Sequence, residues 1–79
     1  MQIALIILKS GIHLITKAEQ LDEEPSCHME HPYMIREDGT LEPWPRYTND
    51  TDILLYSETI ATIVEPDDEI RKKYEIVTK

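Results

Sequence analysis

Ile3–Leu8 is an unbroken run of Ile and Leu with one Ala, the pattern of a strand covered on both faces. Ser10-Gly11 then signals a turn, with Gly11 free to take φ > 0. From Ile12 to Leu21 the pattern alternates, which places Ile12, Leu14, Thr16 and Ala18 on one face. The first two strands therefore form a hairpin. Asp22-Glu23-Glu24-Pro25 ends the second strand, because Pro25 offers no ladder donor and its neighbours favour water. A third strand is predicted over Ser26–Ile35, with Cys27, Met29, His31, Tyr33 and Ile35 sharing a face. Pro32 inside it marks a bulge or an edge. Arg36–Thr40 turns around Asp38-Gly39, and Pro43-Trp44-Pro45 reads as extended chain.

Two further strands follow, Ile53–Tyr56 and Thr59–Val64, separated only by Ser57 and Glu58. So tight a link is a sharp corner. Pro66-Asp67-Asp68-Glu69 opens a helix, since proline suits the first turn and acidic residues complement the N-terminal dipole. Ile70, Tyr74 and Val77 give that helix one apolar stripe, expected to dock on the strands and cover one open end. The expected fold is mainly β: a small, partly open barrel of five short strands with a short C-terminal helix. Residues 1–65 form the barrel, and residues 66–79 are the helix and tail of the same domain. Such a barrel leaves two strand edges exposed. Pairing an edge of one subunit with the neighbour's other edge, repeated around a ring, removes both.

Charge narrows the partners. The 79 residues hold 16 acidic and 8 basic side chains, a formal net charge of −8. That balance disfavours duplex DNA and anionic membranes, which need clustered Lys and Arg. Met1–Leu8 is too short to span a bilayer and has no basic segment before it. Cys27, the only cysteine, cannot form an internal disulfide. A self-associating cytoplasmic protein is expected.

Few residues carry chemistry. Cys27, His28 and His31, with His13, are metal-ligand types, but on a strand Cys27 and His31 face one way and His28 the other. A buried Cys27 acting as a small hydrophobe is expected instead. Glu19, Asp22, Glu23 and Glu24 lack the alternating spacing of a calcium loop and read as a solvated acidic loop. Asp67, Asp68 and Glu69 are accounted for by helix capping. No nucleophile–base pairing, phosphate loop or HExxH occurs, so neither catalysis nor a cofactor or metal is expected. Trp44, the single tryptophan, is expected to cover the core.

Two segments resemble a known family. Leu8-Lys9-Ser10-Gly11, between an apolar strand and the Ile12–Leu21 strand with Asp22 after it, resembles the first signature of Sm and LSm-like proteins (the Hfq-like superfamily). Leu55-Tyr56-Ser57-Glu58-Thr59-Ile60-Ala61-Thr62-Ile63 is similar to the second signature, two short strands around a tight turn. Short acidic chains of this kind look like Sm-like proteins of bacteriophage origin, which implies the host cytoplasm. The resemblance implies a small, bent, five-stranded antiparallel SH3-like barrel and a homo-oligomeric ring of about five to seven subunits. Its interface would comprise Ile53, Leu54, Leu55 and Tyr56 of one subunit against Thr59, Ile60, Ala61, Thr62 and Ile63 of the next. It further implies single-stranded RNA bound at the pore by Asp22, Glu24, Ser26, Tyr56 and Ser57. Glu24 stands where the family has a stacking residue, Ser26 where it has Asn, and Tyr56-Ser57 where it has Arg-Gly. A ring that has lost RNA and serves as an interaction module is the alternative. The family's N-terminal helix has no counterpart before Ile3, and the C-terminal helix is expected to replace it.

Overall fold

The two opening segments form the expected hairpin. β1 (Gln2–Leu8) pairs antiparallel with β2 (His13–Gln20), with Ile6 opposite Leu14. Gly11 makes the turn at φ 96°, and its N–H donates to the Leu8 carbonyl at 2.9 Å. The computed structural model describes residues 1–79. β3 (Cys27–Ile35), β4 (Leu41–Pro43), β5 (Asp52–Leu55) and β6 (Ile60–Val64) complete one antiparallel sheet, and α1 (Asp68–Val77) follows. The sheet order is β4-β3-β2-β1-β6, and β5 pairs with β3 beyond β4.

Six strands replace the five expected, because Leu41–Pro43 pairs with Tyr33–Ile35. Only three residues long and ending in proline, β4 carries no alternation that would mark it. β3 therefore has two partners on one side: β5 along Cys27–Glu30 and β4 along Tyr33–Ile35. Between them the strand bulges. Lys17 pairs with Glu30 and Ile15 with Tyr33, so Thr16 faces two residues, His31 and Pro32.

The bulge corrects the predicted face of β3. Cys27 and Met29 lie in the interior cluster, but beyond the bulge Met34 packs against that cluster. His31 is exposed at φ 53°, and Tyr33 passes to the other face, where its ring meets Tyr74 edge-on at 6.0 Å. An extra residue inverts every later side chain, and Pro32 cannot donate to the ladder in any case. The face predicted for β2 holds: Leu14 is in the cluster, Ile12 and Ala18 pack on it, and Thr16 is buried with its hydroxyl bonded to the Glu30 carbonyl.

The interior cluster joins Ile6 and Leu8 of β1, Leu14 of β2, Cys27 and Met29 of β3 and Leu55 of β5. Ile60 and Ile63 of β6 pack on it, as does half-buried Trp44. One cluster fed by five strands means that the sheet curls around its own inner face. No pairing closes it between β5 and β6.

α1 lies on the outer face. Asp67 caps it by accepting from the Ile70 N–H at 2.9 Å. Of the predicted stripe, Tyr74 is fully buried and Ile70 half-buried, but Val77 stays 44% exposed. The last turn lies over the β3–β4 turn, where Lys73 Nζ donates to the Gly39 carbonyl, and Val77 borders an open cleft beside Leu41 of β4. The Tyr74 hydroxyl accepts from the Lys17 N–H at 3.1 Å and donates toward the Glu30 and His31 carbonyls, each at 3.0 Å. The helix is thus pinned at the bulge. No helix is long and apolar enough to cross a membrane.

Candidate functional site: the mouth between two loops

The loop after β2 is short and tied at its base. The Leu21 N–H donates to the Ser26 carbonyl at 2.7 Å, and the Ser26 N–H to the Leu55 carbonyl at 3.0 Å. These bonds set the loop beside the single 3-10 turn, Ser57–Thr59, that links β5 to β6. That turn begins at Tyr56, whose carbonyl accepts from the Thr59 N–H and hydroxyl at 3.1 and 2.8 Å.

Glu24 bridges the two loops. Its carboxylate accepts from the Ser57 N–H at 3.0 Å and from the Ser57 hydroxyl in a short hydrogen bond. The Ser57 hydroxyl, then the Ser57 N–H, and to a smaller extent Ser26, hold the Glu24 carboxyl below the usual range. Three of the five residues predicted for RNA, namely Glu24, Ser26 and Ser57, are therefore brought together. Tyr56 stands next to them with 53% of its surface exposed. Asp22 is exposed at the loop tip beside Glu23.

Behind the bridge is a cleft of about 260 Å3 walled by Leu21, Ser26, Cys27, Ser57, Ile60 and Ile63. Leu21, Ile60 and Ile63 were not among the predicted RNA-contacting residues. The cue for Leu21 is that it is the one apolar residue between Gln20 and the acidic tip. Cys27 is fully buried, and burial pushes its thiol up, so it behaves as a hydrophobe rather than a thiolate. Glu24 and Ser57 together make a clamp between the two loops.

The predicted interface residues divide by orientation. Leu55 is buried and Ile53, Ile60 and Ile63 are half-buried against the interior. Leu54, Tyr56, Thr59, Ala61 and Thr62 are exposed. β5 is paired only with β3, and β6 only with β1, so each offers a second edge. The candidate metal ligands are dispersed: Cys27 is in the core, His28 Nε2 lies 3.0 Å from Asp52 Oδ1, and His31 is at the bulge. No group of three or more His, Cys, Asp or Glu is placed to hold a metal ion.

Together these features define a small antiparallel β-sheet protein with an acidic mouth, free strand edges on β4, β5 and β6, and a helix locked on its outer face. The chain belongs to a family of unknown function, DUF6561, whose model matches residues 1–79. No curated protein matches it.

Proposed function

We propose that this chain is a ring-forming Sm-like protein that binds single-stranded RNA at its mouth. The observation that carries the reading is the meeting of the 21–26 loop and the 56–59 turn, with exposed Tyr56 at the rim and a free strand edge on either side. In this reading the β5 edge of one subunit pairs with the β6 edge of the next, and the curled sheet is an open Sm-like barrel. A base stacks on Tyr56, an interaction of about 1–3 kcal/mol that does not depend on base identity. Ser26, beside the Glu24 carboxylate, is the second contact. The protein then acts in RNA metabolism in the cytoplasm, the host's if a phage encodes it.

One observation favours a second reading. Glu24 occupies both Ser57 donors, the groups best placed to meet a phosphate or a base carbonyl. A ring with its mouth held in this way is an interaction module without RNA.

Binding of oligo(U) and oligo(A) to the wild type and to Tyr56→Ala, across a salt series, decides between them. RNA held by Tyr56 against the surrounding carboxylates gives weak binding that Tyr56→Ala abolishes and that moderate salt leaves flat or improves. Equal affinity of the two proteins, or a steep loss with salt, places RNA on another surface. No binding by either selects the interaction module.

A further inference from the structure

Half of the chain's 8 basic residues, Arg71, Lys72, Lys73 and Lys79, fall on α1 and the two residues after it. None of the four is in an ion pair, although the chain has 16 acidic residues; the pairs use His28, Arg36 and Arg46. Lys72, Ile76 and Lys79 line one exposed cleft at the end of the helix, with Glu75 its one acidic member. Ile76 is 71% exposed. Beside it is a cleft of about 250 Å3 walled by Leu41, Lys73, Ile76 and Val77. The end of the helix therefore presents an aliphatic centre among four unpaired cations and one carboxylate, Glu75, a net positive patch.

The inverse pattern stands elsewhere on the same molecule. Leu21, 38% exposed, leads into Asp22 and Glu23, with Glu19 just before it. Glu24 is turned inward to Ser57, but Glu19, Asp22 and Glu23 are exposed and in no ion pair. The loop is held out by the Leu21–Ser26 hydrogen bond. It enters β3 at Cys27, whereas the end of α1 lies over the turn that leaves β3 at Ile35, where Lys73 meets Gly39. The two patches sit at opposite ends of a nine-residue strand and cannot meet within one chain.

We infer that this patch at the end of α1 is a docking site for the β2–β3 loop of a second copy, joining copies end to end. Leu21 packs on Ile76 and Val77, and Asp22 and Glu23 face Lys72 and Lys79. The contact is heterologous, since unlike surfaces meet, so it propagates along one axis. It uses neither the β5 edge nor the β6 edge. In a ring, it stacks one ring on another; without a ring, it strings single chains.

The test is sedimentation of the full chain over a concentration series at low salt, with two charge-reversed variants, Lys72→Glu/Lys79→Glu and Asp22→Lys/Glu23→Lys. Both sets of residues are exposed, so folding is preserved. The wild type is expected to grow in mass with concentration, and each variant alone to need at least about tenfold more protein to do so, because like charges then meet. Mixing the two variants restores opposite charges at every contact and returns association to the wild-type range. A general charge effect would move the variants in opposite directions, since one is more acidic than the wild type and the other less. Wild-type mass that is constant with concentration overturns the inference, as does wild-type association of either variant or a mixture no better than its components. Failure of the ring leaves this outcome readable, because the unit that grows is then the single chain.

Discussion

Tyr74→Phe isolates one oxygen at the point where the helix grips the sheet. The ring that packs edge-on against Tyr33 is kept. What is removed is the acceptor for the Lys17 N–H, 3.1 Å away, and the donor to the Glu30 and His31 carbonyls. These groups flank the bulge, where the β2–β3 register shifts between Ile15 and Lys17. Leaving a buried backbone donor unsatisfied costs about 1–3 kcal/mol, and the part-buried Lys17 N–H belongs at the lower end of that range. A chain of this size has a total stability of roughly 4–12 kcal/mol, so the loss is large. The melting temperature should fall by roughly 4–8 °C for each kcal/mol. Tyr74→Ala adds a cavity and should cost about 3–5 kcal/mol. Urea unfolding followed by circular dichroism measures both, at one fixed chain concentration because the proposed assembly would be linked to folding. The phenol also titrates. Burial raises Tyr74 above its usual value, so its stabilisation is complete below the unfolded value near pH 10 and is lost as pH climbs through the higher folded value. The wild type should therefore weaken in strong alkali more steeply than the Phe variant. A Phe variant within about 0.5 kcal/mol of wild type, with the same alkaline slope, would refute the account of the bulge.

Glu24 gives an acid-side counterpart. Its carboxyl is depressed, so the clamp on Ser57 is complete above the unfolded value near pH 4.3 and lost as pH falls through the lower folded value. The Ser57 amide resonance should follow that titration in the wild type and not in Glu24→Gln; an amide that stays still in the wild type contradicts the clamp. Asp67→Ala removes the helix cap and should cost about 0.5–2 kcal/mol, read by thermal unfolding. Thr62→Pro or Ile60→Pro, on the strand assigned to the ring edge, should lower assembly in gel filtration before it affects amide exchange in the β1–β2 hairpin.

Local signals account for most of what the sequence made legible. The hairpin follows from Gly11, the inner face of β2 from its alternation, and the helix start from Asp67. Pro32 marked the bulge but not its consequence, because the phase of β3 after it depends on which residue of β2 it faces. β4 is too short for any period and exists because the Arg36–Thr40 turn folds it onto Tyr33–Ile35. Tyr74 was visible as part of a helical stripe, but its bond to Lys17, 57 residues away, was not. At the mouth, the two loops were assigned to one site from resemblance alone. That Glu24 would take both Ser57 donors depends on the turn of the short loop, which Leu21 and Ser26 close through their backbones.

The central claim is that β5 and β6 each use their second edge to join copies into a closed ring. Native mass measurement at micromolar concentration tests it most directly, in high salt so that the charged end-to-end contact is screened. The account predicts one closed assembly of about five to seven chains of 9.2 kDa, which Thr62→Pro converts to smaller species. A stable, folded wild-type monomer under those conditions would contradict it.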